Sequence, residues 1–286
     1  MGWTEALQHA IDYMEENLLE VVSIEEIAKQ ANSSVFHFQR MFTVLTDMTV
    51  GDYLRGRRLT LAAHEMVTTD TKIIDLAYKY GYDTPEAFSK AFRRQHGVTP
   101  SEARKNIGNL QSYNRLVIQV NLKGAEPMKY KIVEKDAFRV IGIKRAFSMK
   151  TEENIPGIPK MWMEANADGT SDALAKLNNG ELKALLGVCA DFGGEQTMDY
   201  WIAAEHQGEV PEEFLQLEIP ASKWGVFEVH GAMPQAMPKV WKQIFSEWFP
   251  SNPYEPAGTA ELEVYPAGDA YSADYYSEIW IPLKQQ

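Results

Sequence analysis

Apolar residues recur three and four apart through roughly the first 105 residues, then give way to alternating or continuous runs from Lys129 onward. The early spacing predicts short helices. Ser23 with Glu26 three positions on has the spacing of a capping box, and Ile24, Ile27 and Ala28 form the apolar stripe behind it. Ser34 is placed to cap the next helix, with Phe38, Met41 and Phe42 on its apolar side and Phe36, His37, Gln39 and Arg40 outward. A longer helix from about Asp52 to Val67 carries Leu54, Leu59, Leu61 and Ala62 and would act as a rigid spacer. Thr84 caps a further helix, and Pro85 takes its first position, where a missing N–H costs nothing. Phe88 and Phe92 then face inward, which leaves Glu86, Ser89, Lys90 and Arg93 outward.

The later spacing predicts strands in YKIVE, FRVIGIKRAF, LLGVCADF, DYWIAAE, LQLEI, WGVFEVHG, ELEVY and SEIWIPL, with helical segments at about 157–177 and 234–248. Between the two textures lies NIGNLQSYNRLVIQVNLKGAEPM, opened by Asn, Gly and Gln and closed by Gly124 and Pro127. The expected division is residues 1–108, a connection over 109–128, and 129–286. The fold class is α+β in two domains, the first all-α and the second mixed.

The helical half repeats itself. Ser23–Phe42 and Lys72–Arg104 each hold a short apolar helix with an aliphatic-Ala pair (Ile27-Ala28, Leu76-Ala77), a polar turn, and a second helix patterned close to F-x-[RK]-x-F. Ala28 and Ala77 are small where two helices cross. These are two helix-turn-helix units in tandem. One such unit places one recognition helix in one major groove; two on one chain can read half-sites about one helical turn apart, ~34 Å, without dimerising. The FQRMF helix, the GDYLRGRRL stretch (Gly51–Leu59), IIDLAYKYGY, FSKAFRRQHG and the closing VTPSEAR together resemble the DNA-binding domain of the AraC/XylS family of bacterial transcription regulators. The resemblance implies double-stranded promoter DNA and RNA polymerase as partners. It implies that Ser34, Phe36, Gln39 and Arg40 approach one groove, and Thr84, Glu86, Ser89, Lys90 and Arg93 the next. Phe36 stands where some members carry Trp. Glu86 is an acid near phosphates, either accepting from a cytosine N4 or simply solvated.

Charge qualifies that picture. The chain has 28 Lys+Arg against 40 Asp+Glu, and residues 1–108 hold 12 basic and 15 acidic side chains, whereas a nucleic-acid binder normally shows a basic footprint. Arg40, Arg55, Arg57, Arg58, Lys90, Arg93, Arg94, Arg104 and Lys105 gather near the recognition elements, while acids crowd residues 5–26, so the local field can be positive. The single cysteine, Cys189, precludes an intramolecular disulfide, fits a reducing compartment and reads as a buried strand residue. His37, His96, His206 and His230 show no metal-ligand spacing, so neither metal nor cofactor is expected. No apolar run of about 18 residues exists to span a membrane. The N-terminal stretch reads as an amphipathic helix rather than a signal peptide, and Ala6 stands where a myristoylation motif needs Ser or Thr. The expectation is a cytoplasmic protein.

The second half also duplicates. Pro159-Lys160-Met161-Trp162 recurs as Pro238-Lys239-Val240-Trp241, and Trp201 recurs as Trp280, each 79 residues on. Equal spacing at two landmarks argues for a repeated strand-helix-strand-strand unit with a ligand cleft between its halves. WGVFEVHG, SEWFP (Ser246–Pro250), ELEVYP and EIWIPL resemble the GyrI-like, or multidrug-sensor-type, effector-binding domain. The resemblance implies a cavity for amphipathic or cationic small molecules, lined by aromatics and one carboxylate. Glu278, by its place in EIWIPL, takes the carboxylate role, with Phe147, Trp162, Tyr200, Trp201, Tyr275 and Trp280 as aromatic candidates. An unpartnered buried carboxylate is costly, so a cation that neutralises it is attracted, and aromatic faces add ~1–2 kcal/mol. Trp241 reads as core and Glu205 as exposed.

Three functions compete. A ligand-responsive transcription regulator, more an activator than a repressor by family analogy, is favoured. The alternatives are an abundance-controlled regulator whose second domain binds a protein, and a GyrI-like hydrolase with Glu278 as general base. No nucleophile–base pair supports the last, so no catalytic residue is assigned.

Overall fold

The computed structural model describes residues 3–105, 108–118, 127–148, 154–190 and 197–284. The chain divides into two compact units. One is Met1–Val35 with Met48–Val120; the other is Phe36–Asp47 with Asn121–Gln286.

The first unit is helical. Its elements are α1 (Trp3–Glu16), α2 (Ile24–Gln30), α4 (Val50–Thr68), α5 (Ile73–Lys79), α6 (Pro85–His96) and α7 (Pro100–Arg104); α3 (Val35–Thr46) begins at its boundary. The starts follow from local chemistry. Ser23 and Glu26 close a reciprocal capping box on α2, and Thr99 with Glu102 does the same on α7. The Thr84 hydroxyl accepts from the Ala87 amide, with Pro85 behind it, and α6 stops at Gly97, whose φ of 75° a side chain would strain. Leu59, Ala62, Ala63, Met66, Leu76, Ala77, Phe88, Phe92 and Ala103 form one core between α4, α5, α6 and α7. Ala77, fully buried there, is small enough for close helix approach.

The stretch 108–118 has no regular structure yet is fastened to this unit. The Gln111 amide donates to His96 Nδ1 at 3.2 Å, Tyr113 to Thr60 Oγ1 at 2.9 Å, Leu116 to the Tyr53 hydroxyl at 3.1 Å and Ile118 to Gln8 Oε1 at 2.8 Å. Gly56 makes this possible. A Cβ there would lie 2.8 Å from the Tyr113 ring, so only glycine lets the strap lie flat on α4.

The second unit is an eight-stranded antiparallel sheet with helices. Its strands are β1 (Tyr130–Lys135), β2 (Phe138–Ser148), β3 (Ala184–Ala190), β4 (Thr197–Glu205), β5 (Leu215–Ile219), β6 (Ser222–His230), β7 (Glu261–Pro266) and β8 (Tyr276–Leu283). After β2 come α8 (Asn154–Ala167) and α9 (Thr170–Leu177). After β6 come α10 (Ala236–Gln243), a π-helical turn (Ile244–Trp248) and α11 (Phe249–Ser251). The order β1-β6-β8-β7-β3-β4-β2-β5 reads alike from both ends. Strands β6, β8 and β7 match β2, β4 and β3, with β1 and β5 as equivalent edges. Trp162 and Trp241 lie on equivalent helices, Trp201 and Trp280 on equivalent strands, so the spacing of 79 marks a real duplication.

Alternation along the strands separates two faces. Trp201, Trp224, Val226, Leu262, Val264 and Trp280 share one core. Residues of opposite parity, including Ile141, Cys189, Tyr200 and Ile202, pack with Met161, Ala165 and Leu174 of α8 and α9. Glu205, expected at the surface, is buried: the Leu182 amide donates to it at 2.9 Å, and Lys135 lies 3.7 Å away. Those two partners compensate a burial that strand position alone does not reveal.

Candidate functional site

Strand β7 sends Leu262 and Val264 to one face and Glu261, Glu263 and Tyr265 to the other. Glu263 sits in a cradle of neutral donors. The Tyr200 hydroxyl donates to its Oε2 at 2.9 Å, the Tyr265 hydroxyl to the same oxygen at 3.0 Å, and the Trp241 indole N–H to Oε1 at 2.9 Å. The Trp162 indole N–H donates onward to the Tyr200 hydroxyl at 2.9 Å, and its ring meets Tyr265 edge-on at 5.1 Å. Burial and the adjacent carboxylate hold both tyrosine hydroxyls well above their ordinary pKa, so they remain donors. Gly187 clears the path. A Cβ there would stand 2.2 Å from the Tyr200 hydroxyl and 3.0 Å from Glu263.

Glu261, one pleat along and 1% exposed, faces α3. Arg40 Nε donates to its Oε2 at 2.5 Å, and His37 Nδ1 lies 3.3 Å from its Oε1. Burial alone pushes the Glu261 carboxyl up, but the Arg40 charge and His37 more than reverse this, and its pKa lies below the ordinary value. The Arg40 guanidinium stacks over the Trp241 ring at 4.4 Å, with Nη2 at 4.0 Å from Glu263. Burial opposes its charge; Glu261 and Glu263 beside it nevertheless raise its pKa. His37 approaches the Phe245 ring at 5.9 Å, in a ladder where Trp241, Phe245 and Phe249 stack at 5.9 and 5.5 Å. The π-helical turn sets Phe245 in that ladder. Burial pushes the Cys189 thiol up, so it stays a protonated core residue.

The arrangement corrects one sequence expectation. His37 and Gln39, read as outward, are buried, and Arg40 is half-buried with its side chain 11% exposed. Helical periodicity identifies the face opposite Phe38 and Phe42; it cannot anticipate two buried carboxylates that draw that face inward. Ser34 is exposed, and the Phe36 side chain lies outside the described residues.

Of the effector candidates, Trp162 and Tyr200 come together at Glu263. Trp241, read as core, is both core and donor. Phe147 packs in the helix-covered core against Gly157, and the Tyr275 hydroxyl donates to the Pro266 carbonyl at 2.7 Å. Trp201 and Trp280 lie in the other core. So does Glu278's side of the sheet, since Glu278 pairs with Val264. Glu278 accepts from Trp280 Nε1 at 2.7 Å and Tyr276 at 2.6 Å, and Lys131 stands 3.2 Å away. Its repeat counterpart, Asp199, pairs with Lys144 at 2.6 Å. Both are carboxylates with a cation already beside them. Two acids at alternate positions inside ELEVYP are the sequence signal for the buried pair Glu261 and Glu263.

On α6, Thr84, Glu86, Lys90, Arg93 and Arg94 are exposed and Ser89 half-buried. Several other basic residues have structural work. Arg57 grips Glu15 with Nε and Nη2, each at 2.8 Å; Arg58 donates to the Leu18 and Glu20 carbonyls; Arg104 donates to the Thr71 carbonyl. Among the described residues no group of His, Cys, Asp and Glu could hold a metal ion, and no helix is long and apolar enough to cross a membrane.

Comparison with known proteins gives this geometry a context. Residues 27–106 match a helix-turn-helix domain family, and residues 131–283 match the family described as integron-associated effector binding protein. The regulatory protein SoxS of Escherichia coli (strain K12) is 39% identical over 107 residues, 37% of this chain and 100% of that protein. The HTH-type transcriptional activator AarP of Providencia stuartii is 37% identical over 89 residues, 31% of this chain and 66% of that protein. The structure of SAV2435 bound to tetraphenylphosphonium is 25% identical with a TM-score of 0.51, covering 55% of this chain and 94% of that one. The chain therefore belongs to the integron-associated effector binding protein family, and its AraC-type helix-turn-helix domain makes it a DNA-binding transcription regulator with an effector-binding domain.

Proposed function

We propose that the effector is an amphipathic cation bound at Glu263, between Trp162, Tyr200, Trp241 and Tyr265, and that its binding regulates promoter recognition. The observation that carries this reading is a buried carboxylate held by three neutral donors within an aromatic wall. The three donors fix the carboxylate without bringing a charge of their own, so a delocalised cation gains both the carboxylate and the ring faces. SAV2435, which shares the fold of this unit, was solved with such a cation. Titrating tetraphenylphosphonium into the full chain and following tryptophan fluorescence tests it. Saturable quenching is expected, weakened at least ~10-fold in Glu263→Gln, the scale of one lost charge–charge contact. Equal affinity in that variant would remove Glu263 from the role.

On the DNA side, the reading assigns Thr84, which caps α6, and Glu86, Ser89, Lys90 and Arg93 of α6 to one groove. Ser34, just before α3, and Phe36, Gln39 and Arg40 of α3 would serve the other. Activation through RNA polymerase is the favoured outcome, in keeping with AarP being a transcriptional activator. Replacing Lys90 and Arg93 together with alanine should lower the salt slope of binding to a non-specific B-form duplex by about 2 and weaken affinity roughly ten-fold or more. Fluorescence anisotropy across a salt series measures both. An unchanged slope would show that neither residue meets phosphate.

A further inference from the structure

The cradle around Glu263 already has a cation at its edge, and that cation belongs to the chain itself. We propose that Arg40 is a built-in occupant of the effector site, so that an amphipathic cation and helix α3 compete for it and effector binding releases α3 for DNA. The proposal rests on the reading of Glu263 as a cation site.

Three observations carry it. First, the Arg40 guanidinium has the chemistry the site selects: a planar delocalised charge, stacked at 4.4 Å on the Trp241 ring and 4.0 Å from Glu263, with Glu261 taking its Nε. Trp241 is the same side chain whose indole N–H fixes Glu263, so a ligand using that ring face cannot share it with Arg40. Second, the docking involves the helix and not one side chain. His37 approaches Glu261 and Phe245, and Asp47, just beyond the end of α3, pairs with Lys242 of α10 at 2.8 Å. Residues Phe36–Asp47 accordingly group with the sheet unit. Third, Gln39 and Arg40, which the tandem helix-turn-helix pattern assigns to DNA, are withdrawn from solvent in this arrangement, whereas Lys90 and Arg93 of the second reading helix are exposed. One reading head is open and the other is held.

The coupling then needs no separate relay. A ligand shifts an equilibrium only by its different affinity for the two states, and here the difference is the presence or absence of Arg40 on the ring the ligand needs. The same linkage requires that duplex DNA, by engaging α3, tighten effector binding. While the site is self-occupied the apparent affinity for any external cation is reduced by the fraction of chains that are open.

The test is calorimetric titration of tetraphenylphosphonium into the full chain and its Arg40→Ala, Arg40→Gln and Glu263→Gln variants, with hydrogen exchange of residues 36–46 in the native chain. Removing the occupant should tighten binding about ten-fold or more in both Arg40 variants, following the reduced competition. In the native chain, saturating cation should speed amide exchange in α3 and leave α6 unchanged. Unaltered affinity in both Arg40 variants, together with unaltered α3 exchange, overturns self-occupancy, and if Glu263→Gln still abolishes binding the cation site itself stands. Binding that is insensitive to Glu263→Gln, or absent from every form including Arg40→Ala, defeats the cation reading and this inference with it. The native-chain exchange result decides the matter should either Arg40 variant fail to fold.

Discussion

Phe92→Ala is expected to cost the helical unit about 3–5 kcal/mol, the range for truncating a fully buried aromatic. Phe92 is 0% exposed and lies between Phe88, at 5.6 Å, and His96, at 4.3 Å, in the core shared by α4, α5, α6 and α7. Alanine leaves a void that helices capped at both ends cannot close by sliding: Thr84 and Pro85 set the start of α6 and Gly97 its stop. The same loss reaches function. Phe88 and Phe92 fix the rotation of α6, and that rotation decides that Lys90 and Arg93 point outward. Global hydrogen-exchange stability of the α4–α7 amides measures the energetic part, and duplex anisotropy measures the consequence. A change under about 1 kcal/mol would mean that this core is not close-packed around Phe92.

How far the sequence could be read follows from where each determinant lies. Caps are local, so Ser23 and Thr84 announced their helices, and strand alternation announced the whole sheet. The duplication was legible because it repeats tryptophans at a fixed interval, and the symmetric strand order follows from it. The destination of α3 was not legible. Its pattern is that of a helix with one apolar face, and its polar face is buried only because Glu261, 221 residues away, takes Arg40. Local periodicity carries no information about a contact at that separation. The surroundings of the carboxylates were not legible for a related reason. Glu278 stands out beside a run of apolar residues, yet Lys131, on a strand that pairs with β6 rather than β8, lies 3.2 Å from it. Glu263 looks unremarkable in ELEVYP, yet its donors come from β4, β7 and α10, which only the folded sheet assembles. The basic residues divided the same way: Arg57, Arg58 and Arg104 looked like a footprint until their carbonyl and carboxylate partners were seen.

Arg57 supplies the second large effect. Its guanidinium donates to both oxygens of Glu15 and, at 2.6 Å, to the Tyr113 carbonyl, while the Tyr53 hydroxyl donates to Glu15 at 2.6 Å and accepts from the Leu116 amide. One side chain thus joins α1, α4 and the strap over 108–118. Arg57→Ala leaves the half-buried Glu15 without its cation, at a cost of about 1–3 kcal/mol. The loss should depend on pH in a defined sense. Burial pushes the Glu15 carboxyl up, but the hydrogen bonds from Arg57 and Tyr53 more than reverse it, so its folded pKa lies below the ordinary 4.5. A carboxylate depressed in the folded state contributes stability above its unfolded pKa and loses it as pH falls through the folded value. The gap between native chain and variant should therefore be full at neutral pH and shrink below about pH 4. Denaturant titrations at pH 7 and below pH 4 give that gap, and hydrogen exchange at Tyr113 and Leu116 shows whether the strap comes loose with it. A gap that stays constant as pH falls would assign the stability to the Tyr113 carbonyl bond and not to Glu15. Faster exchange at these two amides would mark Arg57 as the fastening of the segment that leads out of the DNA-binding unit.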